Sequence, residues 1–105
     1  MDVWLEQADL RAYSRWELCE GYRRLGHAWQ LQGDLFRAQD YLDQALDAAV
    51  DRAQKALVYH RLGLLQLEMD NPDQARRALT AARDMGLPPD LMKSTDEILN
   101  QSQED

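Results

Sequence analysis

The residues of this chain whose types could do chemistry are two histidines, one cysteine, a run of carboxylates and a set of arginines. His27 and His60 lie on different predicted helices, with no cysteine or carboxylate at ligand spacing around either. A metal site needs such convergence, so no metal is expected. No serine or cysteine sits in a nucleophile motif, and no glycine-rich loop follows a strand. The chain is therefore not expected to be an enzyme or to hold a cofactor. Cys19 stands alone, which rules out an internal disulfide, and is expected to act as a small hydrophobe. Asp40, Asp43, Asp47 and Asp51 run along one helical stretch. A calcium loop needs carboxylates converging around a sharp glycine turn, which a straight helix cannot provide. They are expected to form a solvated outer face.

The arginines are more informative. Two predicted helices, 15–32 and 51–69, carry Arg15, Arg23, Arg24, Arg52, Lys55 and Arg61 against Glu17, Glu20 and Glu68. The rest of the chain is strongly acidic, and the formal net charge is −7. An acidic protein that keeps two helices positive is expected to use them for an acidic partner. The same acidity argues against nucleic acid, because phosphate contacts need a basic face. No apolar run reaches membrane-spanning length, so no membrane span is expected. The start, Met1-Asp2-Val3-Trp4-Leu5-Glu6, lacks the basic and apolar regions of a signal peptide, and the expected compartment is the cytoplasm.

The elements that hold these residues follow from periodicity. With 105 residues and 45% hydrophobic content, the chain suits one globular domain. No segment alternates with period two, so the fold is expected to be all-α. Trp4, Leu5, Ala8 and Ala12 predict a short helix within 1–13. Ser14-Arg15-Trp16-Glu17 fits a capping box that opens the helix over 15–32, whose apolar face is Leu18, Tyr22, Leu25, Gly26 and Trp29. Gly33-Asp34 ends it and caps the next helix, 35–49. A third helix covers 51–69. Asn71-Pro72-Asp73-Gln74 predicts a capped start for a fourth, 72–85, that stops at Gly86. A last helix, 89–100, carries Leu91, Met92, Thr95, Ile98 and Leu99, and 101–105 is expected to fray.

The pattern repeats. Tyr22, Leu25-Gly26, Trp29, Ala38, Leu42 and Ala45 recur as Tyr59, Leu62-Gly63, Gln66, Ala75, Leu79 and Ala82. Glycine inside a helix costs about 1 kcal/mol against alanine. Gly26 and Gly63 are therefore expected to admit close approach of the partner helix at Ala38 and Ala75.

This run resembles the tetratricopeptide repeat (TPR), whose pattern is Trp, Leu-Gly, Tyr, Ala, Phe, Ala and Pro over 34 residues. The resemblance spans about residues 19–89. Gln66 departs from it where an aromatic is expected, as do Val50 and Leu87 where proline is usual. Gly26 and Gly63 are also 37 residues apart. The extra three are expected to add almost one turn across 48–53. The resemblance implies an α-α superhelix of antiparallel pairs: repeat 1 over 15–50, repeat 2 over 51–87, and a C-terminal capping helix over 89–100. It also implies that the far side of the first helix of each pair lines a concave groove that binds peptides or partner helices. On that side lie Arg23, Arg24, His27 and Gln30, then Leu57, His60, Arg61, Leu64 and Leu67. One subfamily clamps C-terminal carboxylates with Lys, Asn, Asn, Lys and Arg over three repeats. Arg23, His27 and Arg61 stand in place of its first three, and no third repeat supplies the rest, so that clamp does not carry over. The expected function is an interaction module, an adaptor, scaffold or chaperone-like unit, holding an acidic and apolar segment in the groove. The alternative is a self-assembling domain, with a homodimer built on the open repeat ends and on Trp4 and Trp16.

Overall fold

The computed structural model describes residues 14–103. The helix expected within 1–13, with Trp4, lies outside them. Five helices follow in order: α1 Arg15–Leu31, α2 Leu35–Ala48, α3 Arg52–Glu68, α4 Pro72–Met85 and α5 Pro89–Gln103. Among the described residues there is no strand. The last helix runs three residues beyond the expected Asn100.

Each boundary has a local cause. Ser14 and Glu17 form the expected capping box, with both backbone-to-side-chain bonds at 3.2 Å. Asp34 Oδ1 accepts from the Arg37 amide at 3.1 Å, and Asp51 Oδ1 from the Gln54 amide at 2.8 Å. Gly33 takes the left-handed turn after α1 at φ 85°, and the Asp34 amide closes the turn onto the Trp29 carbonyl. The second hairpin closes the same way, from the Asn71 amide to the Gln66 carbonyl, but with Asp70 at φ 61° in the glycine's place. Asn71 does not form the expected side-chain cap. Its Nδ2 instead donates to Gln66 Oε1 at 3.0 Å, which turns the amide away from the helix start.

Helices α1 and α2 pair antiparallel, as do α3 and α4, and α2 joins the hairpins by packing on α3. One buried cluster runs through Cys19, Leu42, Ala45, Val58 and Leu65, flanked by Tyr22 and Trp29. A second joins Ala56, Ala82 and Leu87 to Leu91 and Met92 of α5. Thr95 and Leu99 of α5 are buried. The helix starts Arg15, Arg52 and Pro89 are evenly spaced, so α5 stands in the register of a third first-helix and packs on α4. The three residues beyond a 34-residue period match the three by which α1 and α3 each exceed their partners. Only 49–51 link α2 to α3, so residues 52 and 53 of the expected added turn fall within α3.

The close helix contact is present, with a different partner atom from the one expected. A Cβ on Gly63 would lie 2.5 Å from Leu79 Cγ, and one on Gly26 would lie 2.7 Å from Leu42 Cγ. The carbonyls of Ala75 and Ala38 come next, at 3.4 and 3.2 Å. A leucine on the second helix is therefore seated in the gap that each glycine leaves. Gly63→Ala gains about 1 kcal/mol of helix propensity. Overpacking of this kind costs about 1–3 kcal/mol. At 2.5 Å we expect the clash to win and the thermal midpoint to fall by roughly 4–8 °C. A rise in melting temperature, followed by circular dichroism, would contradict the contact.

Candidate functional site

Side-by-side placement of α1 and α3 comes from polar bridges between them. Gln54 is buried: its Oε1 accepts from the Val50 amide, and its Nε2 donates to the Trp16 carbonyl and to Glu20 Oε2. At the other end Gln30 Nε2 donates to Glu68 Oε1 at 2.7 Å. Residues 34 or 38 apart thus face each other, early with early and late with late, which makes α1 and α3 parallel.

This seam brings part of the expected basic strip together. Arg23 is ion-paired with Glu20 at 2.6 Å and is mostly covered. Arg61 is close enough to Arg23 for each to repel the other's charge, and it forms no ion pair among the described residues. Burial and then Arg23 hold the Arg61 guanidinium below its ordinary pKa. His27 sits within the field of both arginines. Arg24 is exposed on α1, and Leu64 is half-buried on α3, with Leu67 exposed nearer its end. Four buried polar atoms on these helices have no hydrogen-bond partner among the described residues: Arg23 Nε, Trp29 Nε1, Gln30 Oε1 and His60 Nε2.

Two expected positions are placed differently. His60 is only 6% exposed, so it lies beneath the surface rather than along the strip. Leu57 packs on the Ala56, Ala82 and Leu87 cluster, which leaves less of it for a groove floor. The charge argument also changes in detail. Arg15 donates to the Asp47 carbonyl and Arg52 to the Asp84 carbonyl, at 2.5 and 3.2 Å. Each holds the last turn of its partner helix, where carbonyls lack partners and a cation is favoured. These two charges therefore serve the hairpins and not the groove. Their equal register, Arg15 and Arg52 each opening a first helix, was the sequence signal for this role.

A second concavity was not foreseen. A cavity of about 240 Å³ lies where α2, α3 and α4 meet. Gln39 and Asp43 line it from α2, Tyr59, Leu62 and Gln66 from α3, and Gln74, Arg77 and Ala78 from α4. Burial, then Asp40 and Asp47, raise the Asp43 pKa. Among the described residues no group of His, Cys, Asp and Glu could hold a metal ion. Burial, with Glu20 next, pushes the Cys19 thiol up to about 11, which leaves it unreactive near neutral pH. No described helix is long and apolar enough to cross a membrane.

Both histidines have lowered pKa values, chiefly through burial and then through Arg61, with Arg23 also acting on His27. Both histidines therefore gain charge at a lower pH than their ordinary value of 6.5 would give. Stability follows with a definite sign. In the window below 6.5 and above the folded values, the unfolded chain binds more protons than the folded one. Stability is full above that window and is lost as pH falls through it. Denaturant unfolding at about pH 7.5 and pH 5.5 should show the loss, and His60→Leu should flatten it. An unchanged pH dependence in His60→Leu would remove His60 from the account.

The family model for the tetratricopeptide repeat matches residues 17–86. No curated protein and no solved structure matches the chain. The match covers both hairpins from the first turn of α1 to the glycine that ends α4. With the repeated Leu-Gly, Ala, Leu and Ala positions at its helix contacts, the chain belongs to the tetratricopeptide repeat family.

Proposed function

We propose that the inner face of α1 and α3 binds a segment of a partner protein that carries acidic and apolar residues. Tetratricopeptide repeats generally mediate protein–protein interaction and are typically non-catalytic. The observation that carries the finer reading is Arg61. It is partly buried beside Arg23, with no carboxylate of its own among the described residues. Keeping two guanidinium groups close without a second counter-charge is costly, and a carboxylate supplied by a partner relieves it. Leu64 and the exposed Leu67 supply apolar contact on α3.

The strength of such a site is bounded. A shielded hydrogen bond to a charged group contributes about 1.5–3 kcal/mol. An exposed pair contributes about 0–1 kcal/mol. Binding should therefore be modest and weaken with salt. The probe is a labelled peptide of alternating Asp and Leu, titrated by fluorescence anisotropy. Arg24→Gln with Arg61→Gln should weaken it roughly tenfold or more. Asp40→Asn with Asp47→Asn, on the outer face of α2, should leave it unchanged or slightly tighter. Loss of binding in the outer-face variant alone would put the site on the convex side.

One observation favours a second reading, self-association. Phe36, Leu31 and Trp16 are large apolar side chains left 77%, 76% and 51% exposed. A concentration series in size-exclusion chromatography separates the two. A dimer that persists at low concentration and is lost in Leu31→Ser with Phe36→Ser would support assembly through the α1–α2 turn.

A further inference from the structure

The cavity between α2, α3 and α4 has a specific origin in the repeat. Positions 37 residues apart are equivalent, so Gln66 stands where the first hairpin has Trp29, and Ala78 where it has Tyr41. Tyr59 is the counterpart of Tyr22. In the first hairpin, Tyr22 and Tyr41 stack with ring centroids 6.2 Å apart. Arg37 lies over the Trp29 ring at 4.6 Å. The second hairpin keeps one ring of this group, Tyr59, and replaces the other two with an amide and a methyl. Tyr59, Gln66 and Ala78 all line the cavity. The cavity is therefore the space of absent aromatic rings, bounded on the far side by Gln39 and Asp43 of α2.

We propose that this cavity is a second binding site, separate from the inner face, which takes one aromatic side chain, tryptophan or tyrosine, from a partner protein. Its size selects a single ring: about 240 Å³ is below the range of about 300–1,000 Å³ of pockets for drug-sized ligands. The ring packs on Tyr59, as Tyr41 packs on Tyr22. Arg77, one turn beyond Gln74, which is the counterpart of Arg37, supplies a cation for the ring face. Asp43 and the amides of Gln39 and Gln74 offer acceptors for an indole N–H or a phenol O–H. Asp43, Gln74 and Arg77 are exposed, so the rim is open to an incoming chain. An aliphatic side chain would leave these acceptors unmatched and give Arg77 no π face.

The test uses the full chain and N-acetyl-tryptophanamide, which mimics a tryptophan within a polypeptide. Two-dimensional nitrogen–proton NMR should show saturable shifts at the side-chain amides of Gln39, Gln66 and Gln74. N-acetyl-leucinamide should produce none. Ala78→Tyr restores the missing ring, and should abolish the shifts and raise the melting temperature. Should Ala78→Tyr fail to fold, Arg77→Gln decides, and unchanged affinity in it overturns the proposal. The proposal is also overturned by absence of saturable shifts, or by full binding in folded Ala78→Tyr. Tighter binding of free tryptophan would assign the cavity to a zwitterion held by Asp43 and Arg77, and would likewise overturn it.

Discussion

Everything in this fold depends on a contact that two glycines permit. Leu42 rests against Gly26 and Leu79 against Gly63, at distances where an added Cβ would clash. The glycines cost helix propensity, yet the contact draws the axes of each hairpin together. Close axes bury Leu25, Leu42, Leu65 and Leu79 almost completely. They also fix which faces remain outward. One side of each first helix is consumed by its own hairpin, and the opposite side is left outside that contact. The basic inner face is thus a consequence of the packing that forms the hairpin.

The seam between repeats is built differently. Its middle is apolar, through Ala45, Ala49, Val58 and Leu62. Its ends are polar, through Gln54 and through Gln30 with Glu68. A polar bridge fixes register more tightly than apolar contact does, because its partners are directional. That register sets Arg61 beside Arg23. The repeats are not equal in content: the first carries Trp29 and Tyr41, the second Gln66 and Ala78. The cavity in the second repeat follows from this loss of volume.

Most of the fold was legible because its signals are local or periodic. Ser14, Gly33, Pro72 and Gly86 each mark a helix end by local chemistry, and the repeated Leu-Gly and Ala positions gave the pairing. The site was less legible, for physical reasons that particular residues show. Helical spacing assigned His60 to a face without revealing that the face is covered. Leu57 shows the same limit, since it packs on the cluster that Leu91 and Met92 of α5 also join. Asn71 had the right type for a cap, but Gln66, which is brought beside it only by the turn, claimed its side chain. Arg15 and Arg52 counted toward a basic groove because net charge does not say where a guanidinium points. The cavity was unreadable along one helix, since α2, α3 and α4 each supply one wall.

The most direct measurement maps the acidic, leucine-bearing peptide onto the labelled full chain by chemical-shift perturbation. The account predicts a contiguous set of shifts along α1 and α3, at Arg23, His27, Arg61 and Leu64, with α2 and α4 outer positions such as Asp47 and Arg76 unmoved. Shifts concentrated on α2 and α4, with Arg23 and Arg61 silent, would contradict it.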